Sequence, residues 1–315
     1  TAVNAWAQGL HGSWIAQVVD PVSLPWRLGF AIGLVPALLI VWVRRSVREP
    51  EGWQRARARA DREPGEEMGQ LAGLFLGELL HRTLVCVTLA AVAMATFWGV
   101  HIYGKNMLQA AVERRYVAEA VAEAQTRGAS TATATTTATT PSTPLSAMQR
   151  SAILAPHAAR LKRWEMLGMF LVTTGGGIGL LAFGPMSQRI GRRRTFLLYH
   201  LGGLVSTLVV FKVLSSVTAL VVALPIFGML TLGMHAGYAI YFPELYPTRL
   251  RGTGTGFCFN AGRAAAAPIV FLVGWLQSSY GISLPNVSVA ASLLFLVGAA
   301  VLAFAPETRG RDLTP

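Results

Sequence analysis

The sequence predicts an all-α membrane protein, an incomplete helical bundle of about seven transmembrane helices. Two observations carry that reading. The 315 residues are 53% hydrophobic and 13% charged, and the apolar residues come in uninterrupted runs of about 20, the length that crosses a bilayer as a helix. Basic residues gather between alternate runs, at 44–82, 189–194, 249–251 and 309–311, whereas the turns near Lys212 and at 280–285 hold almost no charge. Arginine-rich turns stay on the cytoplasmic side, so seven spans leave the C-terminus inside. The expected place is the cell (inner) membrane, multi-pass. The net charge of +12 is explained by these turns, and no nucleic-acid partner is expected.

Taken in order, residues 1–27 form a partial helix or interfacial segment with Trp6, His11 and Trp14. Residues 28–43 are a span that Pro36 kinks, and Arg44 and Arg45 stop it. Residues 44–78 are a mixed-charge cytoplasmic loop containing Arg48-Glu49-Pro50-Glu51-Gly52-Trp53. Residues 79–104 are the next span, with His81 and Arg82 at its mouth. Residues 105–164 form an outer-side insertion, with helical composition near 110–125 and 149–164. Its Thr131–Pro144 tract of Thr, Ala, Ser and Pro is too polar to order itself. Residues 165–305 hold five spans, and 306–315 are a charged cytoplasmic tail. Cys86 and Cys258 lie in apolar runs and read as packing thiols. The chain opens on Thr1 without a signal peptide and reads as part of a longer protein.

The stretch Pro243-Glu-Leu-Tyr-Pro-Thr-Arg-Leu-Arg251-Gly, followed by Asn260-Ala-Gly-Arg263, resembles the tenth-to-eleventh helix region of the major facilitator superfamily, in its sugar-porter and metabolite:proton symporter branch. Gly184-Pro-Met-Ser-Gln-Arg189-Ile-Gly191-Arg192 resembles its basic loop between the eighth and ninth helices, and Pro306-Glu307-Thr-Arg309-Gly its signature after the last helix. Gln188 departs from the family's Asp, which removes a charge pair. The resemblance makes these spans helices six to twelve of twelve, the C-terminal half plus one. It implies a secondary active transporter working by alternating access, proton-coupled symport of a sugar or small organic metabolite, and a small-molecule substrate. Its partners are the lipid bilayer and a missing N-terminal half of the same protein, without which this chain does not transport. It implies no cofactor, no metal and no enzyme activity. A polytopic membrane enzyme and a transporter-derived sensor are the alternatives from other classes.

Candidate gating residues are Gly184, Arg189, Gly191, Arg192, Glu244, Arg249, Arg251, Glu307 and Arg309. Gly184 lets helices touch, Gly191 makes a turn, and Glu244 pairs with Arg249, Arg251 or another arginine. Candidate substrate or coupling residues are Trp98, His101, His235, Tyr238, Asn260 and Arg263. Trp98 is either a belt aromatic or a pocket wall. His235 is either a neutral histidine bonded across helices or a group that titrates near neutral pH. An arginine inside a span costs about 2.5–3.5 kcal/mol on insertion scales, so Arg263 anchors an anion, serves a gate by pairing with a carboxylate, or pairs structurally with Glu244 or with a backbone carbonyl near the cytoplasmic end. Asn260 lies about one turn before it, on a shared face.

Overall fold

The computed structural model describes residues 24–47, 49–62, 67–131 and 146–310. Among these, every regular element is helical, and seven helical stretches are long and apolar enough to cross a membrane. The Thr1–Asp20 segment, residues 132–144 of the Thr/Ala tract and the tail from Arg311 lie outside the described residues. The chain divides into two units, 1–58 and 59–315.

In the first unit, α1 (Leu24–Gly33) and α2 (Val35–Ser46) are separated at Leu34. Pro36 explains the break: it fits the first turn of a new helix, where its missing N–H costs nothing, but not a helix interior. Arg44 and Arg45 fill the last turn of α2. Leu38, Leu39, Ile40 and Trp42 are all exposed, and a helix apolar all round suits lipid. A third helix, α3 (Glu51–Ala60), pairs Glu51 with Arg55 at 2.7 Å and sets Arg57 over Trp53. Both contacts are internal to α3, as in a solvated linker helix.

In the second unit, α4 (Gly77–Gly99) is interrupted at Val100, passes through a turn at His101–Tyr103, and continues as α5 (Gly104–Thr131). This differs from the expected boundary at residue 105. Met107, Leu108, Ala111 and Val112 are buried. They form one apolar stripe at helical spacing, which the neighbouring Lys105, Gln109 and Glu113 obscure in a linear reading. A short helix, α6 (Ala147–Leu154), follows a capping box of Ser146 and Gln149.

The 33 residues of α7 (Ala158–Ile190) extend about 50 Å without a break. The early turns of α5 run antiparallel to α7, tied by Lys105 to Glu165 at 2.8 Å and by Tyr116 stacked on His157. The next elements are α8 (Arg192–Leu208), a wide turn at Val209–Val213, α9 (Val217–Leu232) and α10 (Met234–Glu244). Then come α11 (Arg251–Ala266), α12 (Pro268–Tyr280), α13 (Leu284–Ser292) and α14 (Leu294–Val301). Pro268 divides α11 from α12 for the reason Pro36 divides α1 from α2.

The closest helix pair is α7 with α9. A Cβ at Gly175 would overlap the Pro225 carbonyl, and one at Gly228 the Val172 carbonyl. The two backbones therefore touch, which small residues allow in lipid. Gly184 does not have the close-approach role expected of it: the nearest atom to a Cβ there would be Ile240 Cδ1 at 4.0 Å. The core beside this seam is aromatic, with Phe183, Phe196, Tyr199, Tyr238, Tyr241 and Phe242 all fully buried.

Candidate functional site

Three segments meet at the arginine-rich end of the second unit: the α7–α8 turn, the end of α10 and the stretch after α14. Gly191 has φ +97°, a conformation that favours glycine, and turns α7 into α8. The turn delivers Arg192 to Glu244 at the end of α10. The guanidinium forks the carboxylate, Nε to Oε2 at 3.1 Å and Nη2 to Oε1 at 2.8 Å. The two side chains are only 12% and 17% exposed. Arg192 Nη1 also donates to Ser187 Oγ at 2.8 Å, and Thr308 Oγ1 donates to Glu244 Oε2 at 2.6 Å. A planar two-point pair of this kind fixes orientation as well as charge.

Glu307 forms the second half of the clasp. Its carboxylate accepts the backbone N–H of Arg192, Arg193, Thr308 and Arg309 at 2.9–3.2 Å. Burial works to raise the Glu307 pKa, but the four N–H donors outweigh it and hold the carboxyl below its ordinary value. Arg193 donates to the carbonyls of Leu302 and Ala303, and Tyr241 to that of Pro306 at 2.6 Å. Arg251 Nε donates to Pro243 O. Arg82 reaches Leu245 O, and Gly69 N–H reaches Arg249 O. Of the partners expected for Glu244, which were Arg249, Arg251 or another arginine, the structure shows Arg192 forking both of its oxygens. The loss of charge at Gln188 does not dissolve the network, because Ser187 takes one arm of Arg192. Arg189 is exposed on the last turn of α7.

A second group of candidates gathers around Phe97 in α4. Trp98 meets that ring edge-on at 5.3 Å, His101 stacks on it at 5.2 Å, and His235 meets its edge at 5.8 Å. His235 in turn meets Tyr238 at 5.9 Å. His101, 6% exposed, lies 2.7 Å through Nδ1 from Thr231 Oγ1. Thr231 spends its one proton on Phe227 O, so Nδ1 of His101 is the donor. His235 Nδ1 lies 3.0 Å from Leu232 O. Its Nε2 and the hydroxyl of Tyr238 are buried and make no hydrogen bond among the described residues. Trp98, 43% exposed, is the outward member. A cavity of about 230 Å3 adjoins the group, lined by Phe97, His101, Lys105 and Thr173.

Asn260 and Arg263 stand apart from both groups, exposed on α11. Asn260 Nδ2 donates to Gly256 O at 2.8 Å, and the Arg263 guanidinium lies over Phe259 at 5.2 Å. Gly252, Gly256, Asn260 and Arg263 follow each other at helical spacing on one exposed face. The structural alternative of an Arg263–Glu244 pair is thus corrected, because Glu244 is occupied by Arg192.

Residues 165–314 match the family described as sugar (and other) transporters. That stretch is similar to members of that transporter family. The transporter-family match begins in α7 and runs past the Glu307 clasp, so it contains the Arg192–Glu244 fork whole. The chain is 24% identical over 310 residues to the "Probable 4-methylmuconolactone transporter" of Cupriavidus pinatubonensis, covering 97% of this chain and 59% of that protein. It is 24% identical over 285 residues to the cis,cis-muconate transport protein of Acinetobacter baylyi, covering 90% and 57%. It is 28% identical over 172 residues to the inner membrane metabolite transport protein YhjE of Escherichia coli, covering 53% and 39%. The chain spans less than two thirds of the length of these curated relatives. It is a multi-pass membrane protein of transporter ancestry.

Phe97, Thr231, Ser187 and Thr308 were not among the sequence candidates. Phe97 lies four residues before His101, so helical spacing alone puts that ring beside its histidine, whereas Thr231 meets His101 from another element and carries no such signal. Ser187 and Thr308 carry no such signal, because their partners lie on other elements.

Proposed function

We propose that this chain supplies one half of an alternating-access carrier for a small organic metabolite, and that a carboxylate-bearing solute is its substrate class. The observation that carries this reading is the placement of Arg263. An arginine exposed within an apolar span is costly against hydrocarbon, so the α11 face bearing Asn260 and Arg263 borders water, a substrate or a partner helix. A guanidinium beside a carboxamide suits a carboxylate. The names of the relatives agree with that choice, since muconate is a dicarboxylate. On this reading the clasp of Glu244, Arg192 and Glu307 lies on the cytoplasmic side and closes that side when the substrate path opens outward. The coupling ion is the proton, as the resemblance to metabolite symporters implies.

The test is uptake by the full-length protein in proteoliposomes, with cis,cis-muconate and a panel of neutral sugars, with and without an inward proton gradient. Accumulation of the dicarboxylate that collapses with the gradient supports the proposal. Arg263→Gln is expected to lower uptake of the acid at least tenfold at equal protein abundance. Sugar uptake equal to acid uptake, unaffected by Arg263→Gln, would overturn the substrate class.

A further inference from the structure

The clasp has an outer flank that its bonding does not use. Between the start of α8 and the end of α14 lies a cleft of about 610 Å3, lined by Ile190, Arg193, Arg194, Leu197, Ala299 and Leu302, with Glu307 and Arg309 at its rim. The lining divides by chemistry: arginines stand at the rim, and aliphatic side chains form the wall. Arg194 and Arg309 are exposed, and among the described residues their side chains take no part in the ion pairs of the clasp. Arg193 is tied to the carbonyls of Leu302 and Ala303. Glu307 is the one carboxylate there, and both its oxygens already accept backbone N–H groups. Three guanidiniums against one carboxylate leave the rim positive.

The wall continues as a track. Below Arg194, the exposed face of α8 presents Leu197, Leu198, Leu201, Val205 and Leu208 at helical spacing. On α14, Leu296 is exposed one turn before Ala299 of the cleft. An anion with no tail has no use for that track, and a neutral lipid has no use for the arginines. We propose that this cleft binds an anionic phospholipid, with the headgroup phosphate between Arg194 and Arg309 and an acyl chain along Leu197 and Leu201. Basic pockets between membrane helices have the charge that such headgroups need, and each arginine near the surface contributes about a fivefold preference.

The test is native mass spectrometry of the purified full chain with equimolar phosphatidylglycerol and phosphatidylcholine. Bound phosphatidylglycerol should exceed phosphatidylcholine at least about fivefold. The Arg194→Gln/Arg309→Gln variant should fall to parity, while Arg160→Gln/Arg163→Gln, which removes equal charge from the other end of α7, should keep the preference. A melting curve of each variant distinguishes lost binding from lost folding. Inorganic phosphate should not displace the lipid. Parity in the unmodified chain, an undiminished preference in a folded Arg194→Gln/Arg309→Gln variant, or displacement by inorganic phosphate would overturn the proposal.

Discussion

Glu244 and Glu307 are two carboxylates within one clasp, and their surroundings give them different work. Glu244 meets a guanidinium, so its loss leaves Arg192 partly buried without its counter-charge. Glu244→Gln is expected to destabilise the protein by about 1.5–3 kcal/mol, the range for hydrogen bonds to charged groups, read as a lower melting temperature in detergent. Adding Arg192→Gln should recover part of that loss, because the stranded charge goes with it. Glu307 meets only backbone N–H groups, and its pKa is held down. A depressed carboxyl contributes stability that is present above its unfolded value of about 4.3 and is lost as pH falls through the lower folded value. Melting between pH 7 and pH 3 should therefore show a decline in the acid range that Glu307→Gln flattens. The sequence made these two residues legible as members of a motif. It did not reveal their partners, because Arg192 is 52 positions from Glu244 and Glu307 is 115 from Arg192. No local spacing encodes such contacts.

At the scale of the helix, proline and glycine were the most readable signals. Pro36 was readable as a kink, whereas Pro268 also divides two helices and Pro185, Pro225 and Pro243 lie inside α7, α9 and α10. The run Gly175-Gly176-Gly177 permits close packing or local bending, and sequence does not say which of its members packs. Gly175 lies against the Pro225 carbonyl, whereas a Cβ at Gly177 would have open space around it. Gly177→Ala should then be neutral or stabilising by up to about 1 kcal/mol through helix propensity. Gly175→Ala should force α7 from α9 and cost about 1–3 kcal/mol or more, as overpacking does. Thermal melts of the two variants side by side check the contrast, and equal effects would refute the seam. The start of α5 was the least legible element. Its buried stripe is four residues wide and set among charges, and only tertiary contact with α7 and α9 decides that it packs.

For the molecule as a whole, the alternation of basic and uncharged turns was legible as topology before any contact was known. The structure brings the turns at Gly191, Glu244 and Glu307 to one end of the bundle. Cysteine substitutions at Arg193 and Arg251 should thus label from the same side of sealed vesicles. Labelling from opposite sides would remove the membrane topology and the carrier reading with it. What stayed illegible is the grouping of the candidates. Trp98, His101 and His235 converge on Phe97, with Tyr238 against His235, while Asn260 and Arg263 occupy a separate surface. A linear reading has no means of telling one pocket from two.

The unbroken length of α7 has a mechanical consequence. Glu165 fastens its one extremity to Lys105, and Ser187 fastens the other to Arg192. A stiff rod pinned at both tips hands displacement across the bilayer with little loss, so whatever tugs on the Lys105 side is felt at the Arg192 side. Severing the Lys105 tether with Lys105→Met should loosen the distant fastening, measurable as faster hydrogen exchange at the amides of Arg192 and Arg193.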